Sequence, residues 1–256
     1  MKNHIVLGVD IGGSGIKGGL IDIKKGEMIT ERYRLETPQP ATPAAVAATF
    51  KELIDHFDWK GPVGVGFPAI VRHGKALSAS NIDASWIGVD ITKLLSKAAG
   101  CPVYVLNDAD AAGIAAMHYG VGKGEQGVVF MITIGSGIGS ALFMDGKLVP
   151  NTELGHIYLK NNKEVAEKYI SGNARKARGL GWSAWGKQFN KYLLHLERLF
   201  SPDLIILGGG GSKQFANFQD KIQLNCRVIP AGLLNQAGAI GAAYYAWEME
   251  TTKPKH

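Results

Sequence analysis

The stretch "VLGVDIGGSGIKGGLID", Val6 to Asp22, crowds glycines together with two acids, Asp10 and Asp22, and a single lysine, Lys17. A dinucleotide fingerprint needs its glycines to end a strand and open a helix, so that pyrophosphate rests on the helix N-terminus. Here "GGLIDI" resumes β character directly after the glycines. A P-loop needs Ser or Thr after its lysine and a helix beyond, whereas Lys17 is followed by Gly18 and a strand. What remains is a β-hairpin whose glycine turn offers backbone N–H groups to a phosphate.

Outward from this hairpin, "EMITERYRLET" reads as a third extended segment. Thr42-Pro43 supplies an N-cap and a first-turn proline, after which Val46, Phe50, Ile54 and Phe57 share one helical face. "GPVGVGFPA" is a short buried strand. Asp90 and Gly100 bound a helix, "PVYVL" is a strand, and "NDADAAGIAAMHYG" runs on as an Ala-rich helix. That alternation implies parallel strands. "GVVFMITIGSGIGSALFMDGKLV" repeats the theme of strand, glycine turn and strand. An amphipathic helix from Trp182 to Phe200, the strand "PDLIILGGG" and a helix from Ala237 to Met249 complete the pattern.

The two glycine hairpins align. Asp10 to Asp22 beside Thr133 to Asp145 matches most apolar and glycine positions and the final acid, so the chain reads as two related halves. We place an N-terminal α/β domain at 1–109, joined by the closing helix at about 237–250, and a C-terminal α/β domain at 110–236.

Composition sets wider bounds. Of 256 residues, 46% are hydrophobic and 20% charged, an ordinary globular balance. No apolar run approaches the roughly 18 residues that span a bilayer, and no signal peptide precedes the first strand, so a cytoplasmic protein without membrane or nucleic-acid partners is expected. Two cysteines, Cys101 and Cys226, are too few for a disulfide framework or an unaided Cys-rich zinc site. Lys and Arg outnumber Asp and Glu 28 to 22, a net charge of +6 that favours an anionic ligand.

The stretches "DIGGSGIKG", "TPQPATP", "SNIDASWIG", "LNDADAAG", "GSGIGSALFMDGKLVPNTELGH", "LFSPDLIILGGGGSK" and "NQAGAIGAA", in this order over almost the whole chain, resemble the ROK branch of the actin, Hsp70 and sugar-kinase superfamily. Within that branch they are similar to the glucokinases that draw on inorganic polyphosphate. The resemblance implies two ribonuclease H-like α/β domains with the active site in the cleft between them, and a homodimer.

It also implies roles. Asp108 is the general base toward the sugar 6-hydroxyl, and Asn107 fixes neighbouring hydroxyls; read from the residues alone, Asp108 or Asp110 could equally cap the Ala-rich helix. Glu153, His156 and Glu167 bind the sugar, with Asn81 and Asp83 lining the pocket and Trp86 packing beneath or lying in the core. Asp10 is the magnesium partner, a single acid that suits an ion otherwise held by phosphate oxygens and water. Gly12, Gly13, Ser14 and Lys17 approach the phosphoryl group from one half, and Thr133, Gly135, Ser136 and Gly137 from the other. Gly209, Gly210 and Lys213, in "GGGGSK", correspond to the loop that meets the nucleoside of ATP-using relatives, or form only a tight turn.

Arg175, Lys176, Arg178 and Lys187 form either a basic track for a long phosphate donor or a solvated helix face. Most ROK proteins place a Cys-rich zinc cluster between the histidine and the second glutamate; "IYLKNNKEVA" holds no cysteine, an absence shared with the polyphosphate-using branch, so no zinc is expected. The implied reaction is phosphorylation of glucose, or of mannose, at the 6-hydroxyl with polyphosphate, and with ATP as the alternative donor. A non-catalytic sugar sensor is a further alternative, and a repressor is disfavoured because the chain begins at its first strand.

Overall fold

The computed structural model describes residues 4–79, 82–232 and 236–252. Contacts divide the chain into two compact units, Met1–Ala115 with Gln236–His256, and Ala116–Asn235.

The first unit is built on β1 (Ile5–Gly12) and β2 (Gly15–Asp22), an antiparallel hairpin in which Asp10 faces Lys17 across the ladder. β3 (Glu27–Met28) and β4 (Tyr33–Leu35) both pair with β2. The single extended segment expected for "EMITERYRLET" is therefore two short strands. Between them the Thr30 hydroxyl accepts from Leu20 N at 3.1 Å, so a side chain takes the place of a ladder partner there.

α1 (Pro43–His56) starts at Thr42, whose side chain accepts from Ala45 N, and buries Val46, Phe50, Leu53 and Ile54. β5 (Val63–Phe67) is buried throughout, as a strand covered on both faces must be. A short hairpin of β6 (Val71–Arg72) and β7 (Lys75–Ala76) follows. α2 (Ile91–Ala99) is capped by Asp90 and stopped by Gly100 in the left-handed region. β8 (Val103–Asn107) leads into α3 (Asp108–Tyr119), inside which the division between units falls. The sheet order is β3-β2-β1-β5-β8, with β1, β5 and β8 parallel.

The second unit repeats this plan. β9 (Val128–Ile134) and β10 (Ile138–Met144) form a hairpin, β11 (Lys147–Val149) extends it, and β12 (Leu204–Gly208) and β13 (Arg227–Pro230) run parallel to β9 in the order β11-β10-β9-β12-β13. The alignment of the two glycine hairpins thus extends to whole sheets of the same order and strand direction. Two short helices, α4 (Glu167–Ile170) and α5 (Gly172–Ala177), precede α6 (Trp182–Phe200). α6 buries Trp185, Phe189, Tyr192, Leu193 and Leu196, the stripe that a period of 3.6 places on one face. α7 (Gly209–Ser212) is a single turn after β12. Among the described residues no helix is long and apolar enough to cross a membrane.

α8 (Ala237–Thr251) belongs to the first unit and lies against β1 and β5. The approach is close enough to require glycine: a Cβ on Gly64 would lie 1.8 Å from the Ala242 carbonyl oxygen, and one on Gly241 1.7 Å from that of Ala111. Neither obstacle is a flexible side chain, so the helix itself must shift. Gly64→Ala is expected to destabilise the fold by about 3 kcal/mol, the upper end for overpacking, lowering Tm by roughly 6–12 °C. Gly232→Ala, with open space around its Cβ, serves as the control in thermal unfolding; equal Tm values for the two variants would contradict the packing.

Candidate active site

In the first unit the functional candidates gather at the carboxyl ends of the parallel strands, where ligands of open α/β sheets bind. Asp10 on β1 is in register with Gly66 on β5, and Phe67 with Asn107 on β8. Asp108 then opens α3. At the start of that helix Asn107 Oδ1 accepts from Ala109 N at 2.8 Å and Asp110 N at 3.1 Å while its Nδ2 donates to Ala69 O at 3.1 Å, and Asp108 Oδ1 shares the Ala109 amide, also at 2.8 Å. Asp110 is buried, and Asp108 is partly exposed.

Asp10 sits 3.5 Å from Lys17 Nζ. Burial pushes its carboxyl pKa up, and Lys17 pulls the other way. A Cβ on Gly238 would come within 3.2 Å of the Asp10 Cγ, so the first turn of α8 keeps this side of the carboxylate uncrowded. A half-buried carboxylate beside Lys17 suits a divalent ion held mainly by phosphate and water. Among the described residues no three His, Cys, Asp or Glu side chains are grouped to hold a metal by themselves.

The turn between β1 and β2 exposes Gly13 and Ser14. Its carbonyls are held from one side by residues to which the sequence reading gave no role. Thr37 Oγ1 donates to Gly12 O at 2.5 Å, Gln39 Nε2 to Gly13 O at 3.4 Å and Arg34 Nη2 to Ser14 O at 2.8 Å. The only signal in the sequence was the "TPQP" stretch itself. Asp83 caps a 3₁₀ turn, accepting from the Ser85 hydroxyl at 2.5 Å and from Ser85 N at 2.9 Å, and these hydrogen bonds hold its pKa down. Trp86 is core: fully buried, it donates to Ala41 O at 2.8 Å and packs on Phe67. Asn81 lies outside the described residues.

The second unit brings Glu153, His156 and Glu167 together. His156 Nδ1 is 3.8 Å from Glu153 Oε2, and its Nε2 is 3.8 Å from Glu167 Oε1. Burial raises the Glu153 carboxyl; His156 lowers it and Glu167 raises it further. Ser140, buried on β10, fixes the loop that carries Glu153 by donating to Thr152 O at 2.6 Å and accepting from Leu154 N at 3.0 Å. The other oxygen of Glu167 accepts from Ile138 N at 3.2 Å, which ties this cluster to the glycine turn between β9 and β10.

In that turn Gly135 and Ser136 are exposed, and Thr133 is in register with Gly208 at the end of β12. Gly209 has φ +72°, and its backbone passes close against Ile134, where a Cβ would meet the Ile134 carbonyl oxygen at 2.6 Å. Gly210 and Lys213 are exposed beyond it.

The basic run divides in two. Arg175 donates to Leu180 O at 2.7 Å and lies 4.0 Å over the Trp182 ring, and Arg178 donates to Gln188 Oε1 at 2.7 Å and Tyr169 O at 3.2 Å. Both arginines therefore brace local structure, while Lys176 and Lys187 are exposed.

Duplicated sheets of this order, each ending its central strand in a glycine turn, define the actin, Hsp70 and sugar-kinase fold. Within it the chain belongs to the ROK family, whose profile matches residues 6–178. It is 44% identical to the polyphosphate glucokinase of Mycobacterium tuberculosis over 92% of this chain and 89% of that one. The crystal structure of an inorganic polyphosphate/ATP-glucomannokinase from Arthrobacter sp. strain KM superposes with a TM-score of 0.91 at 45% identity, covering 96% of this chain and 100% of that one. A ROK glucokinase from Streptomyces griseus, 24% identical, shares the fold with a TM-score of 0.83 over 95% of this chain and 99% of that one.

Proposed function

We propose that this protein phosphorylates the 6-hydroxyl of glucose, and of mannose, with inorganic polyphosphate as donor and ATP as a second donor. The observation that carries this reading is the 44–45% identity, over nearly the full length of each chain, to a polyphosphate glucokinase and a polyphosphate/ATP-glucomannokinase.

In this reading Glu153, His156 and Glu167 hold the sugar hydroxyls, for which two carboxylates and an imidazole offer acceptors and a donor. Asp108 takes the proton of the 6-hydroxyl as its oxygen bonds to the terminal phosphorus. The bond from that phosphorus to the next bridging oxygen breaks, and the donor leaves one phosphate shorter. The glycine turns at 12–14 and 135–137 present N–H groups to the transferring group, with Lys17 adding charge. Asp10 would hold magnesium, which when bound neutralises charge on the phosphate oxygens.

Both glycine turns recognise phosphate alone, so they serve either donor. The second donor is favoured by the exposed Gly210 and Lys213 beyond β12 and by the likeness to the polyphosphate/ATP-glucomannokinase of Arthrobacter. A polyanion held by several cations binds with strong salt dependence, by the counterion release known for nucleic acids. The apparent affinity for polyphosphate is therefore expected to rise with chain length and to fall more steeply with added salt than that for ATP. Initial rates of glucose phosphorylation with polyphosphate and with ATP, measured side by side over a salt series, test both statements. No turnover of polyphosphate would remove the donor assignment.

A further inference from the structure

A cavity of about 500 Å³ in the second unit lies outside the site just described, within the roughly 300–1,000 Å³ of small-ligand pockets. Its walls are the loop Leu159–Asn162, the end of α4 at Tyr169 and Ile170, Arg178 after α5, and the stripe Gln188, Lys191 and His195 along α6. Volume alone decides nothing, since a cavity of the same size in the first unit includes Asp90 beside Lys93. The lining chemistry does: Lys160, Arg178 and Lys191 stand with His195, Asn161, Asn162 and Gln188, and no acid is among them.

None of the three permanent cations forms an ion pair with an acid among the described residues. Grouped around one cavity they repel one another, and an anion relieves that repulsion. Arg178 is preset for the task. Its Nη1 is fixed by Gln188 and the Tyr169 carbonyl, and its guanidinium lies 5.8 Å from the Tyr169 ring. A fixed arginine with two exposed lysines is a pattern suited to phosphate.

The pocket shares its framework with the sugar cluster. The loop whose residues 159–162 form one wall joins His156 to Glu167, and Ala166 N closes it onto Ile157 O at 2.8 Å.

We propose that this pocket binds phosphate, and that the phosphate is a segment of the polyphosphate donor remote from its reacting end. The shared chemistry would also admit a separate phosphate ester such as the hexose 6-phosphate product, so the test separates the two. The proposal rests on the polyphosphate-using reading, yet its first readout is independent of turnover.

Backbone amide NMR shifts of Asn161 and Asn162 are followed as tripolyphosphate is added to the wild-type protein and to Lys160→Gln/Lys191→Gln. Saturable shifts are expected in the wild type, with affinity weakened ~10-fold or more in the variant, since two charge-assisted contacts are lost. Absence of saturable shifts would overturn the pocket whatever the enzyme does. In steady state, the variant is expected to raise KM for long-chain polyphosphate by about the same factor, leaving kcat and the KM values for glucose and ATP unchanged. An unchanged KM for long chains with weakened inhibition by glucose 6-phosphate would overturn the donor assignment in favour of a product site. A wild type that binds tripolyphosphate at Asn161 and Asn162 but never turns over polyphosphate would contradict the functional reading and leave the phosphate pocket standing.

Discussion

Asp108→Asn is expected to lower kcat for glucose phosphorylation by roughly 10² to 10⁴, the usual loss on removing a general base, while glucose affinity stays within a few-fold of wild type. The amide keeps the shape of the carboxylate and removes the proton acceptor. The local structure makes this a clean experiment. At the start of α3 Asn107 receives the Ala109 and Asp110 amides, and the bond that Asp108 Oδ1 accepts from Ala109 N at 2.8 Å can be kept by an amide oxygen, so the helix start survives the substitution. Far-ultraviolet circular dichroism and Tm should match the wild type. Retention of more than about a tenth of wild-type turnover would exclude Asp108 as the base.

The second large effect is expected at Asp10. Its carboxylate is half-buried and faces Lys17 at 3.5 Å, so Asn there removes the one acid at the end of β1 able to attract magnesium. Outer-shell partners of metals cost about 10- to 100-fold when removed, and Asp10→Asn should match or exceed the upper figure in kcat/KM. The discriminating readout is the magnesium concentration giving half-maximal rate, which should rise at least ~10-fold. A purely structural pairing with Lys17 would lower activity and leave that midpoint where it was.

Much of the fold was legible because its signals are local. Thr42, Asp90 and Gly100 announce helix ends through the groups they cap, and the apolar stripe of α6 has the period of its own helix. The hairpin reading of Val6–Asp22 held because β character resumes at once after the glycines, and the hairpin recurs in the second unit. What failed depended on partners distant in sequence. The break in "EMITERYRLET" comes from Thr30 meeting Leu20 across the sheet. The hold of Thr37, Gln39 and Arg34 on the 12–14 turn spans 20 to 26 residues. The basic run looked uniform in sequence, yet Arg175 and Arg178 have carbonyls and aromatic rings as partners that only the folded chain supplies.

Of the candidate site, the cluster of Glu153, His156 and Glu167 was named from the resemblance and is assembled around His156. The identity of the cap on α3 was not legible, because Asn107, Asp108 and Asp110 all suit that position chemically and only backbone direction separates them.

Transfer from polyphosphate to the sugar 6-hydroxyl is the step on which every assigned role depends. The direct measurement is ³¹P NMR of glucose incubated with the purified protein, magnesium and polyphosphate, in the absence of any nucleotide. Glucose 6-phosphate should appear as the internal resonances of the polyphosphate chain decline in step. Orthophosphate without a sugar ester, a 1-phosphate, or product only after ATP is added would contradict it.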